Sequence, residues 1–287
     1  MKVYPHLWAK LFNSPLLVRQ SVAHQLQREL LARMGGNAVA IANVGDDHPL
    51  AAEPRSESAK RRMVKIMETF GDVAVIQVQG IIDKSITDFE MDCYGGYDIN
   101  DLNNALSYIE GREDLTKVVI NFNTPGGSAT GVPETGARLA AMRQKKEMHA
   151  YIDALCCSAG YWLASQCDVI ASAPSAVTGS IGVYMALLDQ TKALEMEGLK
   201  VNLIKSGRLK AMGASFKELT DEERGILQRE VSMLHDEFKA AVTSLRKISD
   251  EAMQGQHFTG KDAKDLGLVD ELTNASLDEY VSALIGR

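Results

Sequence analysis

From about residue 72 the chain alternates β-prone apolar runs with segments of helical period. Residues 73–80 (VAVIQVQG) favour a strand that stops at a glycine, and residues 100–110 read as a helix. Residues 117–123 (KVVINFN) predict a second strand running into a Pro-Gly-Gly turn, followed by a helix over 132–144. Residues 149–155 predict a third strand and 158–166 its following helix. Residues 168–172 and 200–205 predict further strands, separated by a helical segment over 186–197. Strands alternating with helices imply βαβ units, hence an α/β fold with a mainly parallel sheet and right-handed crossovers.

Thr220 opens a long helix with a capping-box signature, Thr220 to Glu223. Its apolar positions, Leu227, Val231, Leu234, Phe238, Ala241 and Leu245, step by four and three as in a heptad seam. Such a helix lies on the domain core or forms a subunit contact. Residues 258–270 predict a short capped helix and a last small strand. Before the core, residues 15–34 carry apolar residues at helical spacing (Leu17, Val22, Leu26, Leu30, Leu31) and predict one amphipathic helix ended by Gly35 and Gly36. Residues 37–62, with Pro49, Pro54 and mixed charge, read as a linker. The expected division is a helical extension and linker over 1–70, a main domain over 71–275 with a long helix over 220–247, and a tail over 276–287.

Composition narrows the function classes. The 287 residues are 45% hydrophobic and 24% charged, enough for a substantial core. The net charge of −7 and the lack of a basic stripe argue against nucleic acid as the main partner. No apolar run approaches the ~20 residues of a membrane span, and the first residues lack the apolar core of a signal peptide. The expectation is a soluble, cytoplasmic protein that contacts no membrane. Cys93, Cys156, Cys157 and Cys167 form no C-x-x-C pair, so no zinc or redox motif is supported, and all four read as reduced thiols, mostly buried. Nothing calls for a metal or a cofactor.

Three stretches carry candidate chemistry: 123–128 (NTPGGS), 157–161 (CSAGY) and 206–210 (SGRLK). Ser158 follows a strand and precedes small residues that let the backbone turn sharply into a helix. A helix N-terminus offers free N–H groups to the oxygen that gains charge when a carbonyl is attacked. The same position suits an ordinary N-cap serine. The Gly126-Gly127 turn permits close backbone approach, and the amide of Gly127, paired with that of Ala159, would make a two-donor oxyanion hole. A serine hydroxyl also needs a base. Of six histidines (His6, His24, His48, His149, His235, His257), none lies between Ser158 and Lys210, and His257 alone stays in consideration. A lysine can serve only when neutral, which requires burial to pull it well below its usual value of about 10.4. Lys210, among Leu209, Ala211, Met212, Gly213 and Ala214, has an apolar sequence setting, and Lys205 is its rival.

Taken together, these stretches resemble the S49 family of serine peptidases, the signal peptide peptidase A group, over about residues 72–275. The resemblance also includes residues 178–183 (TGSIGV) and the closing motif from Phe258 to Asp270. It implies a ClpP/crotonase-like fold and a Ser–Lys dyad, with Ser158 as nucleophile, Lys210 as general base, and Gly127 and Ala159 as oxyanion hole. It further implies a substrate pocket shaped by Gly126, Ser180, Ile181 and Gly182, and a homo-oligomer with active sites at subunit interfaces. The opening residues (Pro5-His-Leu…Phe12 to Leu17) resemble the soluble branch of tailed phages and prophages, the head maturation proteases. That branch implies protein or peptide substrates, with scaffold, portal and capsid proteins as partners, in the host cytoplasm or the prohead. With a single copy of the domain ending at Arg287, any scaffold is expected to be a separate product. The competing readings are a signal-peptide or general protein-degrading peptidase, a catalytically silent capsid-assembly component, and an acyl-CoA enzyme of crotonase type.

Overall fold

The computed structural model describes residues 14–19, 62, 64–86, 91 and 95–287. Chain order gives β1 (Leu16–Val18), β2 (Met67–Phe70), β3 (Val73–Gln79), β4 (Ile81–Asp83), β5 (Gly96–Asp98), α1 (Ile99–Glu110), β6 (Lys117–Thr124), β7 (Gly126–Ser128) and α2 (Val132–Met142). There follow β8 (Glu147–Cys157), α3 (Ala159–Ala164), β9 (Val169–Ser172), β10 (Val177–Gly179), α4 (Thr191–Met196) and α5 (Asp221–Thr243). The chain closes with β11 (His257–Thr259), α6 (Gly260–Asp265), β12 (Glu271–Leu272) and α7 (Leu277–Leu284).

The main sheet runs β11-β10-β8-β6-β3-β2, and β9 joins β8 while β12 pairs β9. Strands β3, β6, β8 and β10 are mutually parallel; β2 and β11 run antiparallel at the two ends. This is the α/β sheet that the alternating pattern predicts. The central strands are buried on both faces and therefore read as unbroken apolar runs. Ala74, Ile76 and Val78 of β3 join the main core with α1 and α2. Val73 and Val75, with Val119 and Tyr151, pack on the other side against Val281 and Leu284 of α7. Residues 276–287 are therefore a sheet-covering helix and its end, not a tail. Ser276 caps α7 through a capping box with Glu279.

Helix α1 is nucleated by Asp98, whose carboxylate accepts the Asn100 N–H, and it buries Ile99, Leu102, Ala105, Leu106 and Ile109 on one face. Helix α5 carries the expected capping box at Thr220 and Glu223. Its C-terminal half docks through Phe238, which stacks on Trp162 with centroids 4.6 Å apart and planes 13° apart. Leu227, Val231 and Leu234, nearer its start, are only half-buried, so the core-docking reading holds for the second half of the helix.

Two expected elements differ. Residues 200–205 form no strand: the segment is irregular and exposed, and it pairs with no strand among the described residues. Residues 16–18, expected as the start of a helix, form a strand. The backbone of residues 16–18 is paired along one side by β7, and Leu16 is paired on the other by Tyr184, which overrides helical spacing. The remainder of the expected N-terminal helix, and the linker up to residue 61, lie outside the described residues. Strand β1 heads a second, small sheet, β1-β7-β4-β5.

Candidate active site

The long strand β8 ends at Cys157, and the chain turns directly into α3. Ser158 sits on the turn with φ 54° and ψ −115°, a left-handed conformation rare outside glycine. The neighbours enforce it. The Ser158 N–H donates to the Gly179 carbonyl at 2.8 Å, and the Ser158 carbonyl accepts from Trp162 N–H at 2.8 Å. Gly160 is required by close approach, since a Cβ there would lie 2.4 Å from Thr124 Cγ2. The Ser158 side chain does not cap α3. Its Oγ is buried and has no hydrogen-bond partner among the described residues. A buried hydroxyl left without a partner is costly, and such sites call for a functional explanation.

The Gly-Gly turn lies against this hydroxyl. A Cβ on Gly126 (φ 98°) would meet Ser158 Cβ at 2.9 Å, the Cys157 carbonyl oxygen at 2.9 Å and the Leu17 carbonyl oxygen at 2.1 Å. Ala159 opens α3, where its N–H has no intrahelical acceptor. Ser180, also at φ 54°, donates its N–H to the Gln256 carbonyl at 2.7 Å, and Ile181 is fully buried in the core. Gly182 packs on Gly255. Thr178 donates to the Cys156 carbonyl at 2.9 Å, tying this loop to the end of β8. The structure thus brings Ser158, Ala159, the Gly126–Gly127 turn and the Thr178–Gly179 end of β10 together, while Ser180, Ile181 and Gly182 follow directly and make their own contacts to Gln256, the core and Gly255.

Lys210 is not part of that cluster within one chain. It is exposed in an irregular segment, and its backbone N–H closes a turn on the Gly207 carbonyl at 3.2 Å. Its apolar neighbours Leu209, Ala211, Met212, Gly213 and Ala214 are half-buried, yet Lys210 itself stays exposed, and residues 199–208 before it are exposed as well. Lys205 is exposed too and donates to the Arg208 carbonyl at 2.7 Å. Among the histidines, His149 is engaged by Glu147 and Tyr280 at 2.9 Å each. His235 bonds the Met253 carbonyl at 2.8 Å. His257 pairs with Gly179 across β10 and β11, and its Nε2 lies 3.3 Å from Arg19 Nη2. His6, His24, His48 and Cys93 lie outside the described residues. The three described cysteines are free and buried, and burial pushes the Cys157 thiol up to about 12, so the residue beside Ser158 is no thiolate nucleophile.

The sequence reading missed the role of β1. Leu16 and Tyr184 exchange backbone bonds, Leu16 N–H to Tyr184 O at 2.8 Å and the reverse at 3.2 Å. On the opposite edge β1 pairs antiparallel with β7. The bonds Arg19 N–H to Pro125 O (2.7 Å) and Ala129 N–H to Pro15 O (3.5 Å) fix the parity. Leu17 and Gly127 are then a pair that exchanges both N–H···O bonds. The Gly127 N–H, a candidate oxyanion donor, is therefore held by Leu17. Leu17 enters the main core, while Leu16 and Val18 pack on Tyr184. Burial pushes the Tyr184 phenol up to about 12.

The sequence profile of Peptidase family S49 matches residues 140–283, half of the chain, and spans Ser158 and Lys210. The chain belongs to peptidase family S49. It is 28% identical over 280 residues to the capsid assembly protease C of Escherichia phage lambda, covering 95% of this chain and 64% of that protein. It is 27% identical over 279 residues to the head-tail preconnector protein of Enterobacteria phage P21, covering 94% of this chain and 55% of that one. Against protease 4 of Salmonella typhi the figures are 30% over 160 residues, 54% and 26%. The chain thus spans less than two thirds of the length of these relatives. A solved enoyl-CoA hydratase/isomerase family member overlays 76% of this chain and 74% of its own at 17% identity with a TM-score of 0.39, too loose an overlap to carry argument. No described helix is long and apolar enough to cross a membrane.

Proposed function

We propose that the chain is a serine endopeptidase that cleaves protein substrates through an acyl-enzyme, in the maturation of a phage head. The observation that carries the proposal is the buried Ser158 hydroxyl, without a partner on a positive-φ turn, with the first N–H of α3 and a glycine turn beside it. Membership of family S49 supports the chemistry. Similarity to a capsid assembly protease over 95% of this chain supports the setting, with scaffold, portal or capsid proteins as partners.

In the proposed reaction Ser158 Oγ attacks the scissile carbonyl carbon while its proton passes to a neutral lysine amine. The carbonyl oxygen takes up the negative charge against the N–H of Ala159 and, once the Leu17 carbonyl releases it, the N–H of Gly127. The ammonium then gives its proton to the leaving amine, and the peptide C–N bond breaks. Water attacks the ester in the same way and regenerates Ser158. Lys210 is the proposed base. Since it is exposed in the single chain, the dry setting a lysine base requires comes from a neighbouring copy in a homo-oligomer. The segment leading to Lys210 supports this, because Met196 is 88% and Ile204 96% exposed, apolar side chains that a second copy would cover.

The test is subunit complementation. Ser158→Ala and Lys210→Ala chains should each lose at least about 10^4-fold in peptide cleavage. Mixing the two variants should restore part of the activity, because a mixed interface carries one intact serine and one intact lysine. A Lys210→Ala chain that assembles and cleaves at the normal rate would remove Lys210 from the mechanism. Failure of a fluorophosphonate probe to label Ser158 in the assembled protein would remove the peptidase reading.

A further inference from the structure

Strand β1 lies outside residues 140–283, the stretch that the family profile matches. It comes from a stretch over a hundred residues before its partner β7, and it is flanked on both sides. One edge is held by Gly126–Ser128 and the other by Tyr184. The first of those edges borders Ser158 at Gly126. The Leu17 carbonyl takes the Gly127 N–H and lies on the same face of Gly126 as the Ser158 side chain. Leu17 drives its side chain into the core beneath, fully buried. At its end the strand is fastened by Arg19, through its N–H to the Pro125 carbonyl at 2.7 Å and its guanidinium to the exposed ring of His257 at 3.3 Å.

An extended peptide held between two backbone edges, with alternate side chains directed into a pocket, is how a polypeptide is bound by strand addition. Remove β1, and the Gly127 and Tyr184 backbone groups that it satisfies lose their partners, leaving a slot shaped for another strand whose Gly126–Gly127 edge lies against Ser158.

We infer that residues Leu16–Val18 occupy in cis the slot that receives the substrate strand, so that the chain's own N-terminal segment competes with substrate, and that the pocket of Leu17 selects a large aliphatic residue. The inference rests on the peptidase reading for the word substrate. The occupancy and the displacement stand on the strand geometry alone. The occupant must leave before an external chain can approach Ser158, and whatever draws Leu17 out opens the site.

The test uses the full chain carrying Ser158→Ala, so that nothing is cleaved, and a dye-labelled peptide of the chain's own residues 14–19 (SPLLVR) added in trans. Leu16 and Ser128 face each other at a position of the β1–β7 ladder that is not hydrogen-bonded, where Cα atoms lie about 4.5 Å apart, within disulfide reach. The double substitution L16C/S128C therefore makes a reversible lock. Fluorescence anisotropy should show no peptide binding in the oxidised lock and recovery of the parent affinity on reduction. Leu17→Asp should bind the peptide at least ten-fold more tightly than the parent, because its own strand no longer seats. Should Leu17→Asp not fold, Leu17→Ala takes its place. Equal affinity in the parent, the Leu17 variant and the oxidised lock overturns the inference, as does a lock that fails to close under oxidant. Restoring Ser158 separates the two readings. Binding that follows the strand while no chain cleaves any peptide sinks the peptidase reading and leaves the cis occupant in place. Cleavage at the same rate with the lock open and closed does the reverse.

Discussion

The two halves of the proposed dyad sit in opposite surroundings. Ser158 lies at the end of the longest strand, 1% exposed, with its backbone bonded to Gly179 and Trp162 and its neighbours packed by Phe122, Tyr161 and Trp162. Lys210 lies in an irregular segment whose anchors are at its margins. Gln190 N–H donates to the Ser215 carbonyl at 2.7 Å, Lys217 pairs with Glu223 at 2.5 Å, and Arg208 pairs with Glu222. The contrast teaches that one chain builds the buried Ser158 turn with its neighbouring glycine turn, and leaves the proposed base, Lys210, on its surface. On the proposed dyad, catalysis would then depend on oligomerisation.

The sharpest way to break this contrast is to compare losses of activity with losses of fold. Ser158→Ala and Lys210→Ala should be alike in activity, each down by at least about 10^4-fold. Neither should unfold the chain. Next in size is a change on the Ser158 side that strikes the fold itself. Trp162→Ala removes the ring stacked on Phe238 and should cost about 3–5 kcal/mol of unfolding free energy, read by urea titration. A loss below about 1 kcal/mol would mean that the helix that follows Ser158 is not held by this stack.

The surface side should behave in the opposite way. Ile204→Asp adds a charge at a side chain that is 96% exposed. It should leave unfolding free energy within about 0.5 kcal/mol of the parent. It should lower assembly and peptide cleavage together, by about 10-fold or more if Ile204 anchors an interface. Sedimentation and cleavage measured on the same samples decide this. Normal assembly with this variant would mean that the exposed apolar segment is not the subunit contact.

The same division separates what the sequence reveals from what it hides. Strands β3, β6, β8 and β9 and helices α1, α2 and α5 were legible because each carries its own periodicity or run, and Asp98 and Thr220 mark their starts. The Ser158 junction was legible from small residues after a β-prone run. Strand β1 was not, because Leu16, Leu17 and Val18 fit a helical stripe equally well, and the pairing that makes them a strand comes from residues 126–128 and 184. Residues 200–205 mislead in the converse way. Their alternation is strand-like, yet no strand among the described residues pairs with them. Exposure of Lys210 was equally beyond local reading, since apolar neighbours in sequence do not bury a side chain unless something packs over them.

A smaller effect tests whether strain is concentrated at the nucleophile. Ser158→Gly removes the side chain from a residue held at φ 54°. Relief of a left-handed conformation is worth about 1 kcal/mol, partly offset by the greater freedom of glycine when unfolded. The variant should therefore be inactive and yet at least as stable as Ser158→Ala. A variant clearly less stable than the alanine form would show that the turn stores no strain.

The smallest expected effect lies at the far rim of the rigid half, where the end of the chain joins the sheet. Asp72 accepts from the Lys117 ammonium at 2.7 Å, the Thr116 hydroxyl at 2.6 Å and the Gly286 N–H at 3.2 Å. The Lys117 bond is the largest cause, followed by Thr116 and Gly286, and together they hold the Asp72 carboxyl far below the usual carboxylate range. A folded-state value below the unfolded one means that the carboxylate stabilises the protein above about pH 4, the ordinary titration range of Asp. That contribution is lost as the pH falls below it. Asp72→Asn should therefore lower the urea midpoint at pH 7, and the gap to the parent should shrink towards pH 2. Lys117 keeps its bond to the Arg287 carbonyl at 3.1 Å in either case, so the loss should be partial. A gap that stays constant from pH 7 to pH 2 would mean that Asp72 acts by packing rather than by charge, and that the docking of α7 does not depend on this ion pair.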